Sequence, residues 1–338
     1  VSTENGAIGA RGSAAFEVLA AGPLTLLQDA GRPGFAHLGV TASGAADQAA
    51  YDAANRLVGN ESWAAALEVV FGGLELRARR TLLVALTGAP ATAMVTEFVR
   101  VGRHSASYSD VAAARIRRTV VNPAGTSFTV LAGDTIALGA PATGLRSYLA
   151  VRGGFDAERV LGSRSSDVLS GLGPAPLRPG DLLDLAGDEH GTAGDWPDAT
   201  LIPPTLPRSG PVLLAISRGP RNEWFGDDGW ATLLRTFWVV GADSNRVGVR
   251  LEGPDGAAVA RLLDHAGELP SEGMVVGAVQ IPPSGQPVVF HRDHPVTGGY
   301  PVIGVLTEGA LDRAAQLRPG DPVRFASAGQ PKSIAASS

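Results

Sequence analysis

His291, Arg292, Asp293, His294, Thr297 and Tyr300 crowd the connection between two apolar runs, Val288 to Phe290 and Val302 to Leu306. The runs read as buried strands, so the polar groups would hang from rigid supports, although a solvated hairpin turn has the same pattern. Gly298 and Gly299 permit positive φ and the close approach of another group, and Pro301 fixes the return of the chain to the sheet. His294, Thr297 and Tyr300 are candidate ligand contacts, and Asp293 is a candidate to orient water or take a proton. Two histidines three apart beside Asp293 raise metal ligation, but neither an HExxH pattern nor a third ligand accompanies them, and no metal is assigned.

Three other constellations carry chemistry. In QDAGRPGFAHLG followed by SGAAD, Arg32 offers a planar fork for a carboxylate or phosphate, with Gln28 beside it. Ser43 is a good N-cap for a helix over about Gly44 to Val58, whose free amides would suit an anion, and Asp47 falls in its first turn. In SNRVGVRLEG, Arg246, Arg250 and Glu252 are evenly spaced and share one face of a strand, which fits anion binding or a solvated ion-pair stripe. In LPSEGMVVGAVQIP, Glu272 is a candidate base and Gln280 a candidate contact.

Composition limits the possibilities. The 338 residues suffice for two ordinary domains, and 44 Gly with 24 Pro punctuate short apolar segments, which favours a mainly β fold. The absence of cysteine excludes disulfides, thiolate metal sites and a cysteine nucleophile. The single lysine, Lys332, lies in a polar tail, which removes Schiff-base chemistry, a P-loop and a biotinylated carrier. A net charge of −5 argues against nucleic acid as partner. No stretch reads as a targeting signal or a membrane span, so a cytoplasmic protein with loose tails (1–15 and 329–338) is expected. Nucleotide-binding and serine-hydrolase signatures are also missing.

The elements that must position these residues follow from the punctuation. One strand is expected over Phe16 to Leu27, leading into a loop, and a hairpin is expected from Leu67 to Leu76 and Thr81 to Thr87. Further strands are expected at Ser127–Leu131, Thr135–Leu138, Arg146–Arg152, Val212–Ser217, Thr236–Val240, Val275–Ile281 and Pro322–Phe325. Thr96 to Arg118 fits no pattern. LRPGD at Leu177 to Asp181 and at Leu317 to Asp321, with LAGD at Leu131 to Asp134, reads as a repeated type II turn whose Asp bonds back to turn amides. The Gly, Asp and Pro-rich stretch from Ala186 to Gly210 divides an N-terminal lobe (16–200) from a C-terminal lobe (210–328).

Taken together, QDAGRPGFAHLGV, SGAADQAAYDAANRLVGN, LEVVFGGLEL, AVRGGFDAERVLGSRSSDVLSGLG, SNRVGVRLEG, PSEGMVVGAVQIPPSGQPVV and DHPVTGGYPVIG resemble the signature blocks of the 5-oxoprolinase C-subunit family. The same family is known as the biotin-dependent carboxyltransferase, Kip-inhibitor antagonist or allophanate hydrolase subunit 2 family. The resemblance runs in order from about Leu24 to Phe325. It departs from the family at Pro295 and Val296, where a glutamine and a threonine are usual. It implies a cyclophilin-like β-barrel architecture and an ATP-dependent opening of 5-oxoproline to glutamate. A Kip-inhibitor-type chain, like the B-subunit of 5-oxoprolinase, would be its partner, together with a third subunit. ATP would act at the level of the complex, and biotin enters only if the chain is a carboxyltransferase instead. A non-catalytic antagonist of a kinase inhibitor is the third alternative. Under the first reading Arg32, Arg246 and Arg250 bind anionic groups, while Asp47, Glu272 or Asp293 handle water and protons.

Overall fold

A computed structural model describes residues 14–100, 115–187, 210–265 and 269–328 of the chain. The packing separates into two compact units. The first is built from the chain up to Gly31, Gln48–Ser166 and the stretch following Gly171. The second takes in Arg32–Asp47 and Asp167–Ser170 together with the C-terminal part of the chain.

The first unit contains β1 (Phe16–Ala21), β2 (Leu24–Gln28), α1 (Gln48–Leu57), β3 (Ala66–Val70), β4 (Leu74–Ala78), β5 (Leu82–Gly88), β6 (Thr92–Arg100), β7 (Arg115–Pro123), β8 (Thr126–Val130), β9 (Thr135–Leu138), β10 (Arg146–Val151) and β11 (Leu182–Leu183). They form two antiparallel sheets, ordered β11-β1-β4-β9-β6-β7 and β2-β3-β10-β5-β8. β4 alternates buried and exposed residues, as a strand with one covered face does, whereas every residue of β10 is buried. Phe16, Leu67, Leu76, Leu86, Ile136 and Leu149 belong to one core shared by both sheets.

The second unit contains β12 (Val212–Arg218), α2 (Gly226–Arg235), β13 (Trp238–Val240), β14 (Gly248–Glu252), β15 (Glu272–Gly273), β16 (Ala278–Gln280), β17 (Val288–Phe290), β18 (Thr297–Gly298), β19 (Val302–Leu306), α3 (Glu308–Ala314) and β20 (Pro322–Ser327). Seven of these strands close a barrel in the order β12-β19-β16-β17-β14-β13-β20, in which β12 and β20 run parallel. Closure leaves no edge for other chains to pair with. Alternate side chains then point inward: Leu214, Ile216, Trp238, Leu251, Val279, Val289, Ile303 and Phe325 fill the interior. The fold is therefore mainly β with a closed barrel, as composition and resemblance indicated. No helix among the described residues is long and apolar enough to cross a membrane.

The runs Thr135–Leu138, Val288–Phe290 and Val302–Leu306 form strands with the expected bounds. All three repeated turns close as expected. The amides of Leu131, Arg178 and Arg318 donate to the carboxylates of Asp134, Asp181 and Asp321 at 2.9, 2.7 and 2.8 Å, with positive φ at Gly133, Gly180 and Gly320.

Three expectations fail. Leu67 to Leu76 and Thr81 to Thr87 make no hairpin: Phe71, Gly72 and Gly73 all take positive φ and turn the chain from one sheet to the other. β3 then pairs with β2 and β10, β4 with β1 and β9, and β5 with β10 and β8. Phe16 to Leu27 likewise divides at Gly22, one part going to each sheet. The helix expected from Gly44 starts only at Gln48, and Ser43, at φ 50°, uses its hydroxyl elsewhere. The unassigned stretch from Thr96 to Arg118 supplies the ends of the β6–β7 antiparallel pair, while 101–114 lie outside the described residues. So does most of the expected linker, 188–209.

The crossing at Gly72 gives a prediction. A Cβ there would stand 2.4 Å from the Gly139 carbonyl oxygen, on a backbone with φ 74° that L side chains rarely adopt. Gly72→Ala should cost roughly 1–3 kcal/mol, lowering Tm in thermal unfolding. Gly133→Ala, also at positive φ but with open space around it, should cost less.

Candidate functional site

β14 and β17 are antiparallel neighbours, with Gly248 opposite Phe290, so the residues before β14 and after β17 emerge at the same end of the barrel. This places Arg246 beside Asp293. Both side chains are buried (2% and 0% exposed) and pair in a two-pronged geometry: Nε to Oδ2 at 2.8 Å and Nη2 to Oδ1 at 3.0 Å. The Ser43 hydroxyl also donates to Asp293 Oδ1 (2.7 Å), and the Val168 amide to Oδ2 (3.0 Å). Each carboxylate oxygen thus accepts two donors, and Arg246 Nη2 additionally donates to the Gly44 carbonyl at 2.7 Å. One buried ion pair fastens two distant segments, 32–47 and 167–170, to the barrel loops.

A second carboxylate repeats the device. Asp167 is buried and accepts from the hydroxyls of Thr41 (2.8 Å) and Ser170 (2.6 Å) and from the amides of Leu169 and Ser170. Burial alone would raise its pKa, but the bonds from Ser170, Thr41 and Leu169 together favour the charged form more strongly and leave it lowered. The loop at 32–42 closes on itself through the Arg32 amide and the Ala42 carbonyl.

The remaining expected residues fall into different surroundings. Asp47 accepts from Gln316 Nε2 at 2.7 Å, close to the end of α3. Glu272 is ion-paired with Arg221 through both carboxylate oxygens. All three candidate carboxylates, Asp47, Glu272 and Asp293, are therefore engaged by named donors. Arg246, Arg250 and Glu252 do not share a strand face. Arg246 precedes β14 and turns into the protein, because the buried Asp293 and the Gly44 carbonyl draw it there, while Arg250 and Glu252 point outward and are exposed. Arg32 is buried in the second unit, and Gln28 in the first, where its Nε2 donates to the Ser166 carbonyl at 2.8 Å. Its neighbour Asp29 binds the hydroxyls of Ser163 and Ser165, both at 2.6 Å.

On the outer barrel wall a separate patch forms. Residues of β16, β17 and β19 alternate with the interior set, and Met274, Ala278, Phe290 and Val302 cluster on this opposite face. Arg250, Val288 and Gln280 make a row across three adjacent strands there. Gln280 Nε2 donates to the Tyr300 carbonyl at 2.9 Å and touches Met274 Sδ, tying down the short β15–β18 ribbon that carries Thr297. Tyr300 and Thr297 themselves are exposed. His294 stacks on Phe290 with rings 5.7 Å apart and 8° from parallel, and its Nδ1 lies 2.8 Å from the Pro295 carbonyl. Burial pushes its pKa below the usual range, against the raising effects of the Pro295 carbonyl and Asp293. The arrangement offers an outward cation, Arg250, beside hydrogen-bonding groups, a neutral imidazole and an apolar wall. It suits a small, flat, anionic ligand.

Asp167, Thr41, Ser170, Arg221, Met274 and Phe290 were not picked out as site residues from the sequence. Only Asp167 had a local signal: Asp followed by a Ser three residues later, the pattern of a side chain capping its own turn.

A family model described as "Carboxyltransferase domain, subdomain A and B" matches residues 38–327. The chain is 33% identical over 313 residues to the C-subunit of 5-oxoprolinase from Escherichia coli K12, covering 92% of this chain and 90% of that one. Among solved structures, TTHA0988 superposes with a TM-score of 0.75 at 30% identity, over 95% of this chain but only 58% of the TTHA0988 chain. The urea carboxylase of Kluyveromyces lactis superposes with a TM-score of 0.76 at 29% identity, over 93% of this chain and 27% of the carboxylase. The chain thus spans nearly all of the first relative and a fraction of the two solved ones.

The buried anchors can be tested by substitution. Arg246→Met leaves Asp293 buried without its counter-ion and should cost about 3–5 kcal/mol in chemical denaturation, whereas the Arg246→Met/Asp293→Leu pair should recover much of that loss. Because the folded pKa of Asp167 lies below its unfolded value, its contribution is present above the unfolded pKa and is lost as pH falls through the folded one. Thr41→Val should therefore reduce stability at neutral pH, with the difference from wild type narrowing below about pH 4.

Proposed function

The chain belongs to the carboxyltransferase-domain family of subdomains A and B, and from that footing we propose that it is the C-type subunit of an ATP-dependent 5-oxoprolinase. In this reading it opens 5-oxoproline to glutamate together with a Kip-inhibitor-type subunit and a third chain. The observation that carries the reading is the likeness, over nearly the whole of both chains, to a 5-oxoprolinase C-subunit. The ligand has the matching chemistry: 5-oxoproline is a flat five-membered lactam bearing one carboxylate.

In the proposed role Arg250 holds the ligand carboxylate. Its guanidinium is exposed and makes no hydrogen bond or ion pair among the described residues. Gln280 and the Thr297–Tyr300 ribbon frame the ring, and the apolar patch of Met274 and Phe290 limits water. Asp293 with Arg246, and Asp167 with Thr41 and Ser170, act as anchors that hold the neighbouring loops. ATP activates the lactam carbonyl and is brought by the complex.

A carboxyltransferase acting on biotin is the second reading, supported by the family description and by the urea carboxylase fold. The ureido ring of biotin is likewise flat and carries N–H groups beside a carbonyl, so the same patch would serve it.

Purifying the chain with its partner subunits and following glutamate formation from 5-oxoproline and ATP tests the first reading directly. Turnover that needs all components is expected. Arg250→Ala should raise KM for 5-oxoproline at least tenfold with a smaller change in kcat, as loss of a uniform binding contact does. Carboxyl transfer from carboxybiotin without any glutamate formation would instead establish the second reading.

A further inference from the structure

We propose that His294 is a catalytic base whose Nε2 accepts the ring N–H of the bound cyclic amide. This rests on the 5-oxoprolinase reading and deepens it. A carbonyl oxygen can only accept, so the 2.8 Å contact of Nδ1 with the Pro295 carbonyl fixes the proton on Nδ1 and the lone pair on Nε2. Nε2 makes no hydrogen bond among the described residues. The ring plane is held by the stack on Phe290, and the backbone by the His294 amide donating to the His291 carbonyl at 3.1 Å. A fixed tautomer, a fixed plane and an uncommitted lone pair are what a proton acceptor needs before substrate arrives.

The charged groups that face the imidazole oppose one another. Asp293 and Asp167 favour the imidazolium and Arg292 disfavours it, while both carboxylates are already bound to donors of their own. Burial is the largest influence and keeps the ring neutral at physiological pH. The three carboxylates suspected from the sequence are all engaged, so the imidazole is the basic group that the site leaves available.

The proton transfer balances with ATP as phosphoryl donor. The lactam oxygen forms a bond to the terminal phosphorus as the bond from phosphorus to ADP breaks. The ring C–N bond becomes C=N with the electrons of the N–H bond, and that proton passes to His294 Nε2, giving the imidazolium. The carbon is then open to water. The same acceptor would serve the ureido N–H of biotin.

The test uses His294→Gln in the reconstituted complex. Wild type should lose kcat/KM on the acid side as the imidazole is protonated, at a pH below the usual histidine range. His294→Gln should lower kcat by about 100-fold or more, change KM less than tenfold and lack that acid limb. Phe290→Leu, which keeps the base and loosens only its stack, should retain the limb with a smaller loss. Nitrogen NMR of the labelled chain adds a readout that needs no turnover: Nε2 should carry the unprotonated signal at pH 7.5 and shift with added 5-oxoproline or 2-imidazolidinone. A variant with wild-type kcat and an unchanged acid limb would overturn the assignment, as would an Nε2 signal indifferent to both ligands. If the wild-type complex forms no glutamate, the parent reading fails, and the NMR shift alone decides for or against the acceptor.

Discussion

The buried pair of Arg246 and Asp293 is the contact on which the candidate site depends. Taking a guanidinium and a carboxylate out of water costs several kcal/mol each, and their attraction offsets this only when every lone pair and proton is used. Asp293 meets that condition with two donors on each oxygen, drawn from Arg246, Ser43 and the Val168 amide. Apolar residues of similar size often replace a buried ion pair at little cost in stability. What they would lack is direction: the charged pair specifies where segments 32–47 and 167–170 attach, because only there do Ser43, Gly44 and Val168 present partners of the right sign.

Asp167 extends the same logic one residue away. Its four donors come from its own turn and from Thr41, so the two anchoring carboxylates share the work of holding the same pair of segments. Rigid anchoring at the mouth of a closed barrel leaves the outer wall free to carry chemistry. There the side chains excluded from the interior by alternation, Arg250, Gln280 and Phe290, form a continuous face with His294 against it.

Much of this was legible in the sequence. The apolar runs on either side of the 291–300 cluster gave strand bounds that hold to the residue, because a short hydrophobic run between turn formers has few alternatives. The Pro-Gly-Asp turns closed as expected, since a local hydrogen bond needs only local residues. The failures were nonlocal. Even spacing put Arg246 with Arg250, yet Arg246 lies outside the strand, and a buried carboxylate 47 positions away turns it inward. Ser43 looked like a helix cap because its neighbours fit one, while its actual acceptor is 250 positions distant. The expected hairpin failed because Gly72 and Gly73 permit a change of sheet as readily as a turn within one. Glu272 looked available as a base, and only the fold brings Arg221 onto it.

Hydrogen–deuterium exchange on wild type and Asp293→Asn, followed peptide by peptide, tests the anchoring account most directly. It predicts that protection falls in 32–47 and 167–170 while the strands of the barrel, β12 to β20, keep theirs. Unchanged exchange in both segments would contradict it, since the carboxylate would then hold nothing in place.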